Sequence, residues 1–183
     1  MGLIILDRDG VINEDSDDFI KSADEWIPIP GSLEAISLFN HAGYNVAVAT
    51  NQSGIARGLF TLDALHDMHK KMSDLLNDTG GYVDAVFYCP HLDAAHCSCR
   101  KPKPGMLEDI AKRFNCDSLS GIYYIGDSYR DIEAARAAGA QPVLVKTGKG
   151  LKTLDACTTE QLQDVLIFDD LISAANALLV LNK

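Results

Sequence analysis

Two aspartates sit two residues apart in Asp7-Arg8-Asp9-Gly10-Val11-Ile12-Asn13, directly after a short apolar run, Leu3 to Leu6. Comparable runs precede three other polar clusters. Thr50-Asn51-Gln52-Ser53-Gly54 follows Val46 to Ala49, and Arg100-Lys101-Pro102-Lys103-Pro104 comes some way after Ala85 to Tyr88. Gly126-Asp127-Ser128-Tyr129-Arg130-Asp131 follows Ile122 to Ile125. Carboxylates, a hydroxyl and an ammonium delivered from four strand ends suit phosphoryl transfer with a divalent cation. Asp7 and Asp127 offer the hard oxygen ligands Mg²⁺ takes, and an oxygen of Asp7 can attack phosphorus to give an aspartyl-phosphate. If the strand extends that far, Asp9 points to the same side as Asp7. It can then protonate the leaving oxygen and later deprotonate water. Thr50 and Lys101 can hold phosphoryl oxygens. Taken singly, these residues read as turn acids, caps and a solvated lysine; only their recurrence at successive strand ends reads as a site.

A second cluster lies just upstream of Lys101. Cys89, His91, Cys97 and Cys99 form Cys-x-His-x₅-Cys-x-Cys, three sulfurs and an imidazole that match a four-coordinate structural Zn²⁺ site. His96, adjacent to Cys97, is harder to bring round as a ligand. Cys99 directly precedes Arg100 and Lys101, so a metal-tied loop fixes both bases without a large lid. Arg100 is a candidate for clamping a second anionic group, because guanidinium binds phosphate bidentately. An odd count of five cysteines, three of them within eleven residues, indicates metal chemistry in a reducing, cytoplasmic compartment and not a disulfide framework. Cys116 and Cys157 are expected to be ordinary small residues.

The elements that position these groups follow from periodicity. The apolar runs named above, with Pro142 to Val145 and Val165 to Phe168, are apolar on both faces, as in a parallel sheet covered by helices. Between them Leu62, Leu65, Met68, Met72 and Leu75 repeat at helical spacing, as do Met106, Leu107, Ile110 and Phe114, and Ile132, Ala135 and Ala138. Leu171 to Leu181 reads as a last helix, with Gly43 and Gly139 at C-caps. The alternation predicts a doubly wound, Rossmann-like α/β fold with a mostly parallel sheet and helices on both faces. Gly148 to Thr159 is expected to be a surface loop, and His69 is expected to face solvent beside Lys70. His41, His66 and His69 are assigned no catalytic part. The acidic run from Asn13 to Glu25 is read as a solvated loop whose position leaves a role at the site mouth open.

A chain of 183 residues fits one domain, residues 1–183. Sixteen Lys and Arg against 26 Asp and Glu give a formal charge of −10, which argues against nucleic acid and anionic membrane as partners and against a zinc-ribbon nucleic-acid binder. No run approaches a membrane span, and Met1 to Asp7 lacks the basic start of a signal peptide. A receiver-like phosphorelay module also gathers Asp, Thr and Lys at strand ends. Its phosphorylated Asp normally follows the third strand, and Asp9 would have no purpose there.

Asp7 to Asn13 resembles motif I of the haloacid dehalogenase (HAD) superfamily of phosphatases. Thr50 is similar to its motif II, Lys101 to motif III, and Gly126-Asp127 with Asp131 to motif IV. The resemblance covers nearly the whole chain. Leu6 to Gly10, Thr50 to Gly58 and Cys99 to Met106 narrow it to the branch holding heptose-bisphosphate phosphatases and histidinol-phosphatases. It implies a capless core with a zinc-bound loop, Asp7 as nucleophile and Asp9 as acid/base. It also implies Mg²⁺ held by the Asp7 and Asp127 carboxylates and the Asp9 backbone carbonyl, and places Asn51, Ser53, Arg57 and Arg100 at the substrate. The implied reaction is removal of the 7-phosphate of a heptose 1,7-bisphosphate by a monomer, toward nucleotide-activated heptose for lipopolysaccharide, with histidinol phosphate as the alternative substrate. Some relatives carry Lys where this chain has Ser128, and Arg130 lies nearby as a replacement.

Overall fold

The computed structural model describes residues 2–181. Among them, six strands form one sheet: β1 (Gly2–Leu6), β2 (Tyr44–Asn51), β3 (Ala85–Cys89), β4 (Tyr123–Gly126), β5 (Gln141–Val145) and β6 (Leu166–Phe168). Every pairing is parallel, in the order β3-β2-β1-β4-β5-β6. Helices α1 (Ser32–His41), α2 (Leu62–Asp78), α3 (Gly105–Arg113), α4 (Tyr129–Ala138), α5 (Gly150–Ala156) and α6 (Leu171–Leu181) lie between and after the strands. The pleat sends successive side chains to opposite faces, which explains the continuous apolar runs. Ile4 and Leu6 pack with Val46, Val48 and the inner sides of α1, α2 and α6. Leu3 and Ile5 pack with Ala47, Ala49, Tyr124 and the inner sides of α3 and α4.

The chain winds from β1 outward to β3, then returns to the far side of β1 for β4. This reversal opens a crevice at the carboxyl ends of β1 and β4, where doubly wound sheets bind ligands. Between β1 and β2 lie only a loop and α1, so no lid domain is inserted there. The loop is anchored from beneath by Trp26, which is fully buried in the core. From α2, Lys71 Nζ donates to the carbonyls of Ala23 and Trp26 at 2.7 and 2.8 Å. Glu14, Asp17, Asp18, Asp24 and Glu25 of the acidic run are exposed, as a solvated loop requires.

Two sequence expectations are overturned. Residues 150–156 are helix α5 and not loop. Its seven residues are too few for a helical period to show. Tertiary contacts order it: the Thr153 hydroxyl donates to the Asp127 carbonyl at 3.0 Å, and Gly150 packs so closely on the Val145 carbonyl that a Cβ there would collide. His69 does not face solvent. It lies four residues after Leu65 and three before Met72, both buried, so helical geometry turns it inward beside them.

Candidate active site

Asp7 and Asp127 flank the crevice. The Asp7 backbone N–H donates to the Ile125 carbonyl at 2.8 Å, which extends the β1–β4 ladder by one residue and aims both carboxylates into one cleft. Asp127 is seated by close backbone packing. Lys149 N–H donates to its Oδ2 at 2.7 Å, and Gly10 and Gly148 come so near that a Cβ on either would strike that oxygen. Both glycines have positive φ, 82° and 56°, which glycine adopts without steric penalty.

Lys101 joins the strand ends. Its ammonium contacts Asp7 Oδ1 at 2.9 Å and Asp131 Oδ1 at 2.7 Å. It also donates to the Ala49 carbonyl at 2.9 Å and the Tyr124 hydroxyl at 2.8 Å. Asp131 is held from its other side by the Ser128 hydroxyl and backbone N–H at the start of α4. Burial opposes ionisation of both partners. For Lys101, Asp131 and Asp7 outweigh burial and raise its pKa; for Asp131, Lys101 outweighs burial and lowers it. The pair is therefore ionised. Burial likewise drives the Tyr124 phenol well above its usual pKa, so it stays a neutral hydrogen-bonding group.

Asp9 belongs to a separate network. The strand stops at Leu6, and residues 8–13 form a turn in which Val11, Ile12 and Asn13 donate backbone N–H groups to the Arg8 carbonyl. Asp9 still lines the same cleft as Asp7. Its carboxylate takes a bidentate contact from the fully buried Arg8 (Nε at 3.1 Å, Nη2 at 2.8 Å), with further bonds from Asn13 Nδ2 and Gln52 Nε2. Against burial, Arg8 and the hydrogen bonds of Asn13, Arg8 and Gln52 hold its pKa below the usual range. Gln52 Nε2 also donates to Thr50 Oγ1 at 2.9 Å. Thr50 thereby accepts with its lone pair and keeps its own proton for an anionic oxygen.

Carboxylate oxygens of Asp7, Asp127 and Asp131 lie within 4.8 Å of one another. Lys101 neutralises one of these three charges, and the Arg8–Asp9 pair balances itself. Two negative charges are left. Accordingly, burial with repulsion from Asp131 pushes Asp7 up to about 7, despite Lys101. Burial, Asp131 and Asp7 push Asp127 up to about 8. Asp131 is already committed to Lys101, Tyr124 and Ser128. Asp7 and Asp127 therefore remain as the oxygen donors, a set that fits one hard divalent ion.

The four predicted zinc donors also converge, without His96. Zn–S bonds of about 2.3 Å and Zn–N bonds of about 2.0 Å imply tetrahedral edges of roughly 3.8 and 3.5 Å. The S···S separations are 3.2, 3.5 and 3.7 Å, and His91 Nδ1 lies 3.4 and 3.6 Å from Cys99 and Cys89 Sγ. The chain thus holds a zinc-sized tetrahedron of soft donors. Despite desolvation, a backbone hydrogen bond from Arg100 and its thiol neighbours bring Cys97 down to about 6, whereas burial pushes Cys89 up to about 12 and Cys99 up as well, so a bound metal would displace protons from those two. Arg100 donates to the His91 carbonyl at 3.3 Å and points into the cleft. Asn51 clasps the next residue, donating to the Lys101 carbonyl and accepting its N–H, both at 3.1 Å. Its amide is therefore engaged with the protein's own backbone.

The cleft encloses about 250 Å³. Ser53, Arg57, Arg100 and Arg130 line it, with Arg57 stacked over the Phe19 ring at 5.8 Å. In the structure every candidate residue named from the sequence lies in the cleft or in the cysteine cluster. Arg8, Gln52, Tyr124 and Lys149 were not singled out from the sequence, and Asp131 had no assigned role there. Lys149 Nζ binds Asp15 at 2.8 Å, which ties the acidic loop to the site mouth. A Gln two residues past Thr50 and an Arg between two Asp carry no signal until the turn folds them together.

The raised pKa values of Asp7 and Asp127 set a pH dependence. Without a cation the folded state keeps protons that the unfolded chain releases near pH 4, so this contribution to stability is present at low pH and lost as pH rises through about 7 and 8. Mg²⁺ competes with those protons. The rise in thermal midpoint on adding Mg²⁺ should be small at pH 5 and grow steadily to pH 8. Equal Mg²⁺ shifts at pH 5 and pH 8 would place the ion elsewhere.

Comparison with known proteins fits this geometry. A family model described as HAD-hydrolase-like matches residues 98–174. A D-glycero-beta-D-manno-heptose-1,7-bisphosphate 7-phosphatase of Pseudomonas aeruginosa is 58% identical over 97% of both chains. One of Neisseria meningitidis serogroup A is 54% identical over 94% of this chain and 91% of its own. The crystal structure of the D,D-heptose 1,7-bisphosphate phosphatase of B. bronchiseptica, complexed with magnesium and phosphate, superposes with a TM-score of 0.93 at 50% identity. It covers 98% of this chain and 99% of that one. At these identities and coverages, the chain belongs to the D-glycero-beta-D-manno-heptose-1,7-bisphosphate 7-phosphatase family of HAD-like phosphoric monoester hydrolases.

Proposed function

We propose that the chain is a magnesium-dependent phosphatase that removes the 7-phosphate of D-glycero-beta-D-manno-heptose 1,7-bisphosphate, as its relatives' names describe. One observation carries the chemistry: Asp7 lies at the switch point, joined to Lys101, with Asp127 and Asp131 within 4.8 Å and more carboxylate charge there than Lys101 can neutralise. The substrate binds with its 7-phosphate toward Asp7. Lys101 and the free Thr50 proton hold phosphoryl oxygens, and Arg57, Arg100 and Arg130 offer positive charge to the sugar's second phosphate. Ser53 lies beside them as a hydrogen-bonding group for the sugar.

An Asp7 oxygen attacks phosphorus, and the bond from phosphorus to the C7 oxygen breaks. Asp9 gives that oxygen its proton. Asp9 rests ionised, and an arriving phosphate raises its proton affinity by like-charge repulsion, so it takes up a proton from solvent as the substrate binds and returns one to solvent when phosphate leaves at the end of the cycle. Once the dephosphorylated sugar leaves, Asp9 takes a proton from water as that water attacks phosphorus. The bond to Asp7 then breaks and phosphate is released. A magnesium ion held by the Asp7 and Asp127 carboxylates and the Asp9 backbone carbonyl supplies neutralisation of phosphoryl charge and Lewis-acid polarisation. Zinc held by Cys89, His91, Cys97 and Cys99 serves structure, since all four of its positions are filled by protein. We read the enzyme as a monomer built as one domain, and three cysteines gathered with a histidine as metal donors suit a reducing, cytoplasmic setting. Release of nucleotide-sugar precursors for lipopolysaccharide is the corresponding pathway role.

Three measurements test this reading. The kcat/KM for heptose 1,7-bisphosphate should exceed that for histidinol phosphate on the order of 100-fold, since the latter offers no second phosphate; the reverse order overturns the substrate assignment. Asp7→Asn should abolish turnover with the fold retained, whereas Asp9→Asn should depress kcat/KM for sugar phosphates far more than for nitrophenyl phosphate, whose leaving group needs no proton. Stripping zinc with Mg²⁺ in excess should raise KM on the order of tenfold as Arg100 and Lys101 lose their anchor; unchanged kinetics with zinc-free protein would refute that role.

A further inference from the structure

His69 packs against the far side of the Arg8–Asp9 pair. Its Nε2 lies 3.3 Å from Arg8 Nη1, while Arg8 Nε and Nη2 both face Asp9. Arginine can only donate, so His69 must accept: the ring is neutral, with its proton on Nδ1. Desolvation and the neighbouring Arg8 charge lower the His69 pKa to about 4, which keeps it in that form. The Arg8 side chain is fully buried. It cannot recruit bulk water for a nitrogen left unpaired, and an unpaired buried donor is costly enough to make the group move.

The consequence runs through the site in one direction. His69 fixes the outer nitrogen of the guanidinium, the planar fork then has one orientation, and that orientation presents two nitrogens to the Asp9 carboxylate. From the opposite side Gln52 bonds Asp9 at 2.8 Å and Thr50 at 2.9 Å. Helix α2 thereby reaches the reacting groups through a continuous line of side chains. That helix is rigidly placed: its Leu65, Met68, Met72 and Leu76 are buried, and Thr61 caps its N-terminus through a bond from the Ala64 N–H at 3.1 Å.

We propose that His69 is a positioning residue for the acid/base step, acting on Asp9 through Arg8. The inference rests on the assignment of Asp9 as the acid/base. His69 touches neither substrate nor cation, and its part is to hold the guanidinium that aims the carboxylate.

The experiment compares His69→Leu, which fills the space without an acceptor, with His69→Gln, whose amide oxygen can accept from Arg8. Each is assayed for kcat/KM, which reports the step that expels the leaving group, with heptose bisphosphate and with nitrophenyl phosphate. His69→Leu should lose roughly tenfold on the sugar phosphate and less than about twofold on nitrophenyl phosphate. His69→Gln should recover most of the loss. A purely structural role would depress both substrates together, and that result, or no loss at all, overturns the proposal. Should His69→Leu fail to fold, His69→Ala must show the same split against His69→Gln, or the proposal falls. Asp9→Asn run in parallel separates the two ideas. Equal loss on both substrates there removes Asp9 as the acid, whereas a selective loss in Asp9→Asn with none in the His69 variants removes only the role of His69.

Discussion

One buried ammonium answers to two buried carboxylates. Lys101 sits between Asp7 and Asp131 at 2.9 and 2.7 Å, nearly free of solvent. A charge removed from water is tolerated only when it is paired and hydrogen-bonded. Lys101 meets that condition by joining the ends of β1, β2 and β4 through Asp7, the Ala49 carbonyl and the Tyr124 hydroxyl. Its pairing with Asp131 also removes that carboxylate from the competition for a cation. The remaining imbalance is borne by Asp7 and Asp127, whose pKa values rise to about 7 and 8. The same residual charge that would destabilise a metal-free site is what draws in a divalent ion.

Placing Lys101 there is a backbone problem, because the residue comes from a loop and not from a strand. Two devices solve it. The Cys89–Cys99 segment folds its four soft donors to tetrahedral spacing immediately before Arg100. Asn51, at the end of β2, then clasps the Lys101 backbone from both sides. With the loop held at each end, the enzyme needs no lid domain to fix its bases. The linker between β1 and β2 is correspondingly short of structure, holding one helix and a loop pinned by Trp26 and Lys71.

The site divides its labour between two networks. Asp7, Lys101, Asp131, Tyr124 and Asp127 share the charge of the phosphoryl group and its cation. Asp9, Arg8, Gln52, Thr50 and His69 form a second network whose pKa balance runs the other way, toward a low pKa. Two aspartates only two residues apart therefore differ in protonation. Asp7 is buried and shares a single lysine with Asp131, whereas Asp9 lies against a guanidinium and two amides. Cation binding drives the proton from Asp7, and an arriving phosphate raises the proton affinity of Asp9, so the two acids exchange these states before the nucleophilic and acid–base steps.

Strand runs, helix faces and the four catalytic clusters were legible in the sequence because each depends on local spacing. A period of two or near 3.6 reports which faces are buried, and four soft donors within eleven residues can meet with no help from the rest of the chain. Helix α5 and the inward turn of His69 were not legible. The first is too short to show a period and is ordered by Thr153 on Asp127; the second sits at the margin of a buried stripe. Likewise, nothing local announces that Gln52 bridges Asp9 to Thr50, or that Lys149 grips both Asp127 and Asp15. The chain by itself determined which chemical groups were present and that strand ends would carry them. Only the tertiary fold decided which acid faces which base, because charge balance in a buried site depends on neighbours brought together from strands that are distant along the chain.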